Sequence, residues 1–170
     1  MRRRRTAASG PGIRPGAPPV IHSAACEYAI RAAAHLASRN PDEPVKLREI
    51  ARLEDIPRPF LSALLPRLVT AGLMDSTRGP TGGYVLSRAP DRIRLHDIVV
   101  AVDGLDALER CAAGLGRCSD LVPCPLHDAW KPIRERVRGY LRQTTLADMA
   151  RAIEVKRSRM EGSPGRAVPS

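Results

Sequence analysis

The 170-residue sequence predicts a mainly α fold: a winged helix-turn-helix with a small β-hairpin wing and a long C-terminal dimerisation helix. Three observations carry that expectation. Two short helical stretches, 47–53 and 59–71, flank the tight connection Asp55-Ile56-Pro57, and the second is amphipathic. A Gly/Pro-rich turn over 78–83 follows at once, between two runs that can pair as strands. Farther on, Trp130, Ile133, Val137, Tyr140 and Thr144 fall at alternating steps of three and four, a heptad-like seam suited to a partner helix.

The elements follow in order. Residues 1–20 are a Pro/Gly/Arg arm without periodicity, expected to be disordered. Ser23 can cap a helix running to Ser38, with Tyr28, Ala32 and Leu36 at i, i+4 and i+8. Asn40-Pro41-Asp42-Glu43-Pro44 is a loop. In the 47–53 helix, Leu47, Ile50 and Ala51 share a face. The 59–71 helix should bury Leu61, Leu64, Leu65 and Leu68, with Gly72 as its C-cap glycine. Pro66 inside it should kink it or loosen a turn. Strands are expected over 73–77 and 84–87, then a helix over 95–108 with Ile98, Val99 and Val102 on its apolar side. A Cys/Gly/Pro loop covers 111–125 and the longest helix 128–143. Thr145 and Asp148 form a capping box for a last short helix to about Val155. The organisation read is a basic arm at 1–20, a winged helix-turn-helix unit at 21–94, a cysteine loop with dimerisation helices at 95–155 and a disordered tail at 156–170.

Lys and Arg number 28 against 18 Asp and Glu, a net charge of +10. The surplus sits in the tails. Residues 1–20 hold five arginines and no acid; 156–170 hold Lys156, Arg157, Arg159 and Arg166 against Glu161, which leaves +2 for 21–155. Total charge is therefore a weak argument for nucleic acid here. Aromatics are 3%, too few for a base-stacking single-strand or RNA platform. No apolar run reaches the roughly 18 residues of a membrane span. No apolar segment follows the arginines at 2–5 as a secretory signal requires. The expectation is a cytoplasmic protein with reduced cysteines, open to metal or redox chemistry. No acid/base or nucleophile constellation of an enzyme is present.

Cys111, Cys118 and Cys124 fall in one Gly-rich loop, with six residues between the first two and five between the second two; His127 follows three after Cys124. Thiolates and an imidazole converging from one loop suit a soft metal centre. Structural zinc uses tighter Cys pairs, which are absent, whereas an iron–sulfur cluster accepts wider spacings and sometimes His.

The stretches EYAIRAAAHLA, LREIARLEDIPRPFLSALLPRLVTAGLM, RGPTGGYVLSR, LHDIVVAVDG and CAAGLGRCSDLVPCPLHDAW together cover about 21–155. In them the sequence resembles the IscR/NsrR, or Rrf-two, family of dimeric winged-helix iron–sulfur transcription regulators. The resemblance implies an iron–sulfur cluster, 2Fe-2S before 4Fe-4S, on Cys111, Cys118 and Cys124. It offers two fourth ligands: His127, local to the loop, and Glu27, on the first helix and reaching from a partner subunit. Arg31 stands where one redox-sensing member has a histidine ligand, and a guanidinium cannot serve there. Cys26 is at no family ligand position and reads as a small buried residue.

The implied partner is double-stranded operator DNA bound by a homodimer. The second helix of the motif should enter the major groove through Arg58, Pro59 and Ser62, with Arg67 on phosphate. The wing should contribute Arg78, Gly79 and Tyr84, Arg78 being suited to a narrow minor groove. The function expected is a repressor reporting redox state, nitric oxide or iron–sulfur supply. The alternatives are a cluster-free thiol switch on the same cysteines, and an iron–sulfur carrier or assembly protein, which would need no wing.

Overall fold

Ser23 caps α1 (Ala24–Ala37), its hydroxyl accepting from the Cys26 amide at 3.1 Å. α1 is rich in alanine and buries Cys26, Ala29, Ile30, Ala32, Ala33, Ala34, His35 and Leu36. Such small side chains let neighbouring helices close on it from several sides, and α3, α4 and α6 all pack there. The computed structural model describes residues 22–104, 109, 111, 113 and 115–161, with the backbone alone at 157, 160 and 161. The expected arm at 1–20, the helix end at 105–108 and the tail at 162–170 lie outside the described residues.

α2 (Leu47–Leu53) and α3 (Arg58–Thr70) form the helix-turn-helix. The turn between them holds Asp55 at φ +49, a left-handed conformation that Asp tolerates better than most residues. α3 buries Leu61, Leu64, Leu65 and Leu68 on one face and runs unbroken through Pro66. The proline removes a hydrogen bond to the Ser62 carbonyl. Both residues are exposed, so water can serve that oxygen. Gly72 follows at φ +67, the left-handed stop that a glycine supplies.

β1 (Met74–Thr77) pairs antiparallel with β2 (Gly83–Leu86), Met74 opposite Leu86 and Thr77 opposite Gly83. Val45 adds a bridge on the other side of β2, exchanging hydrogen bonds with Tyr84 at 3.0 and 2.9 Å. The hairpin is tight enough to demand glycine. A Cβ at Gly82 would lie 2.1 Å from the Thr77 carbonyl oxygen, and one at Gly83 would lie 2.6 Å from that of Val45.

After a 3-10 turn (Pro90–Arg92) comes α4 (Leu95–Asp103). α4 ends at Asp103, where Gly104 takes φ +81; the expected continuation over 105–108 lies outside the described residues. Both ends of α4 are tied. At its start the Leu95 amide donates to the Thr144 carbonyl at 3.0 Å, and the Leu146 amide donates to Ile93 at 2.9 Å. At its end the Ser23 amide and hydroxyl donate to the Asp103 carboxylate at 2.7 and 2.5 Å.

α5 (His127–Gln143) and α6 (Leu146–Glu161) close the chain. Thr145 and Asp148 form the expected box: the Asp148 carboxylate accepts from the Thr145 amide at 2.9 Å and its hydroxyl at 2.7 Å. That contact with Thr145 draws the Asp148 pKa below its ordinary value. α6 runs past Val155 to Glu161, so residues 156–161, expected in a tail, are helical. No glycine or proline interrupts before Gly162, and cations in a last turn suit the helix dipole.

One apolar core spans these elements. Leu61, Leu65, Leu68, Ile98, Val99, Leu141 and Leu146 are each at most 1% exposed. Each such side chain contributes about 1.5–3 kcal/mol by leaving water. α4 shares this core with α1 and α3, so packing continues across the 94/95 division. Val137, placed on the outward seam by its spacing, packs against this core instead, beside Leu141. Ile133 and Tyr140 are 51% and 55% exposed and share a face, one i, i+7 step apart.

Candidate DNA interface and cysteine centre

The exposed side of α3 presents Arg58, Pro59, Phe60, Ser62 and Ala63, while its leucines face inward. Arg78 and Gly79 are exposed at the wing tip, Gly79 at φ +111. Between wing and helices lies a cleft of about 370 Å³ lined by Lys46, Arg48, Arg58, Thr77, Gly79 and Pro80. Three cations and open glycine backbone on one surface suit phosphate contacts beside base contacts. Lys46 and Arg48 escaped the sequence reading, although two basic residues at the start of α2 were the available signal.

Two residues expected on DNA also make contacts within the chain. The Arg67 guanidinium donates to the Val102 carbonyl near the end of α4, which ties α3 to the helix leading into the cysteine loop. Arg67 is nonetheless exposed, and a guanidinium carries five N–H donors, so this contact and a phosphate contact are compatible. Tyr84 is half-buried, and its ring packs on the core while its backbone pairs with Val45 and Ser76. The returning strand thereby gains an apolar anchor.

The loop brings together all three predicted cysteines and His127. Cys111 Sγ lies 3.4 Å from Cys124 Sγ, and Cys118 Sγ lies 3.3 Å from His127 Nδ1. Backbone hydrogen bonds set these approaches. The Cys111 amide donates to Gly116 at 2.8 Å, Cys118 to Glu109 at 2.8 Å and His127 to Cys124 at 2.9 Å. Glu109 is also ion-paired with Arg117 and Arg138, which fastens the loop to α5. Those two guanidiniums, Arg117 foremost, hold the Glu109 carboxyl below its usual range.

The backbone around Ala113, then the Cys124 contact, lowers the Cys111 thiol pKa. The reciprocal contact with Cys111 raises that of Cys124, and the charge of Cys118 adds to the rise. The two pairs are thus electrostatic neighbours. His127 is 5% exposed. Its Nε2 lies 2.7 Å from Asp120 Oδ1, and Lys131 Nζ donates to both Asp120 oxygens at 2.8 Å. Lys131 first and His127 second keep the Asp120 carboxyl below its usual range.

Three thiols and an imidazole are donors that iron takes, and the set fits an iron–sulfur cluster by chemistry. Among the described residues, no three or more His, Cys, Asp or Glu side chains converge closely enough to hold a single metal ion. Glu27 stands half-buried in the first turn of α1. Among the described residues it makes no hydrogen bond or ion pair with the loop. Arg31 ion-pairs with the buried Glu54 at 3.8 Å. Cys26 is fully buried, and that burial, helped by the charges of Asp103 and Glu27, pushes its thiol up to about 12.

A helix-turn-helix, a glycine-shaped wing and a basic cleft between them define a DNA-binding transcriptional regulator of the winged-helix class. Residues 22–152 match the model of the Rrf2 family, "Iron-dependent Transcriptional regulator", and the chain belongs to that family. It is 33% identical to the HTH-type transcriptional regulator IscR of Klebsiella pneumoniae over 128 residues, 75% of this chain and 78% of that one. Among solved structures it resembles CymR, the global cysteine regulator of B. subtilis, with TM-score 0.66 and 29% identity. That match covers 76% of this chain and 95% of the other. It also resembles T. potens IscR, with TM-score 0.61 and 27% identity over 84% of this chain and 91% of that one. Among the described residues no helix is long and apolar enough to cross a membrane.

Proposed function

We propose that this regulator is a cytoplasmic, non-enzymatic repressor that binds operator DNA as a homodimer and responds to an iron–sulfur cluster, 2Fe-2S before 4Fe-4S. The observation that carries the reading is the gathering of Cys111, Cys118, Cys124 and His127 into two adjoining pairs within one loop. These four residues would hold the cluster, with His127 preferred to Glu27 because it already stands beside Cys118. When bound, such a cluster supplies a redox couple and iron–thiolate bonds open to oxidants or nitric oxide.

The protein's own contacts give the site a route to DNA. The loop begins beyond α4, whose end is held by Arg67 of α3 and by Ser23 at the start of α1. A change in the loop that moves this end bears on the recognition helix through Arg67. Ile133 and Tyr140, exposed on α5, are the apolar pair we assign to the dimer contact. Arg58, Ser62 and Arg78 would meet bases or grooves, with Lys46 and Arg48 on phosphate.

Anaerobic purification tests this reading. The full chain should carry iron and sulfide, and Cys118→Ala should lose most of both. Loaded and iron-free protein should differ at least ten-fold in affinity for a duplex selected from random sequence. Zinc alone in the wild type, or equal affinities, sinks the proposal.

The 3.4 Å approach of Cys111 and Cys124 favours a second reading, a thiol switch. Attack of the Cys111 thiolate on a hydrogen peroxide oxygen would break the O–O bond, giving a sulfenic acid and hydroxide, which takes a proton from solvent to become water. Displacement by Cys124 would then form the disulfide and release a second water. Peroxide-treated, iron-free protein would lose two hydrogen atoms by mass and change operator affinity, while iron would never be found in the native chain.

A further inference from the structure

We propose that Asp120 is a positioning residue that fixes the tautomer and aim of His127, and that Lys131 holds Asp120 for that task. The inference deepens the cluster reading and rests on its assignment of His127. Asp120 lies in the loop between Cys118 and Cys124, whereas His127 and Lys131 are one i, i+4 step apart on α5. Those two side chains share a helix face, and Asp120 spans both. Lys131 donates to both of its oxygens at 2.8 Å, which favours the carboxylate form.

A carboxylate only accepts. His127 Nε2, 2.7 Å from Asp120 Oδ1, therefore carries the proton, and a neutral imidazole has no second one. Nδ1 is left with its lone pair, and Nδ1 is the nitrogen 3.3 Å from Cys118 Sγ. The ring thus presents a donor atom beside a thiol assigned to the same site. With Asp120 gone, the proton is free to move to Nδ1, where it points at Cys118 and blocks that nitrogen. Carboxylates behind ligating histidines act in this way in metal sites generally.

The test begins with the iron-free, reduced full chain, so that it does not depend on a cluster. Nitrogen NMR of 15N-histidine protein at pH 8, with His127 identified through His127→Ala, should show the Nε2–H form in the wild type. Asp120→Ala should shift the ring substantially toward Nδ1–H. Asp120→Asn, whose amide oxygen still accepts, should restore Nε2–H. In anaerobically loaded protein, Asp120→Ala should release iron to a chelator about ten-fold faster, and Asp120→Asn should recover most of the difference. A wild-type Nδ1–H ring, or an Asp120→Ala ring like the wild type, overturns the proposal. The expected tautomers in a chain that never takes up iron would overturn the cluster reading and leave the hold of Asp120 on His127 standing.

Discussion

From α1 to α4 the chain is held by burial, with leucines, isoleucines and alanines closed around α1 in one core. Between Glu109 and His127 it is held by backbone hydrogen bonds and ion pairs, with Leu121 and Val122 93% and 81% exposed. The first region keeps its shape through that core, to which Leu141 of α5 and Leu146 of α6 also belong. The second has little apolar area to lose and rests on polar contacts such as those of Glu109 with Arg117 and Arg138. Such a division lets a DNA-binding half persist while a polar loop changes without unfolding it.

Three changes would sharpen or break this contrast. Leu65→Ala, in the fully buried face of α3, should cost about 2–5 kcal/mol by chemical denaturation. A loss below about 1 kcal/mol would mean that the core relaxes around the gap, and the contrast with the loop would fail. Gly82→Ala should cost roughly 1–3 kcal/mol, since the added methyl meets the Thr77 backbone. Operator affinity should fall with it, while α-helical circular dichroism stays. Wild-type melting and affinity together would show that the hairpin opens freely. The third change is chemical and should leave stability almost untouched. Cys26 has its pKa raised, so below about pH 12 it keeps its proton; Cys111 has its lowered and forms thiolate earlier. Iodoacetamide at pH 8 should therefore label the loop cysteines of the iron-free protein first and Cys26 only as the core unfolds, read by mass spectrometry. Rapid Cys26 labelling in native protein would place the start of α1 outside the stable region.

The winged half was legible because its signals are local and periodic. Leu61, Leu64, Leu65 and Leu68 mark the inner face of α3, and Gly72 marks its end. The cysteines were legible as a set, since spacing alone gathers them. Partners distant in the chain were not. Nothing in the neighbourhood of Arg67 announces the Val102 carbonyl, 35 residues on. Val137 fits a heptad seam and a core equally well; only the packing of α5 against α4 turns it inward. Asp120 carries no pattern of its own, because its meaning comes from a histidine and a lysine on the next helix. The length of α6 was misread for another reason: its charged final turns resemble a tail in composition and a solvated helix in structure.

The alanines of α1 have a consequence in time as well as space. Its central amides are covered by α3, α4 and α6 together, so no single helix can leave and expose them. In deuterated buffer they should exchange only when the whole core opens, at the slowest rate in the protein. The middle of α5, with Leu141 its principal buried apolar anchor, should exchange sooner. A slow clock at the centre and a faster one on the outer helix would then record, amide by amide, which part of this molecule is frame and which part is free to answer.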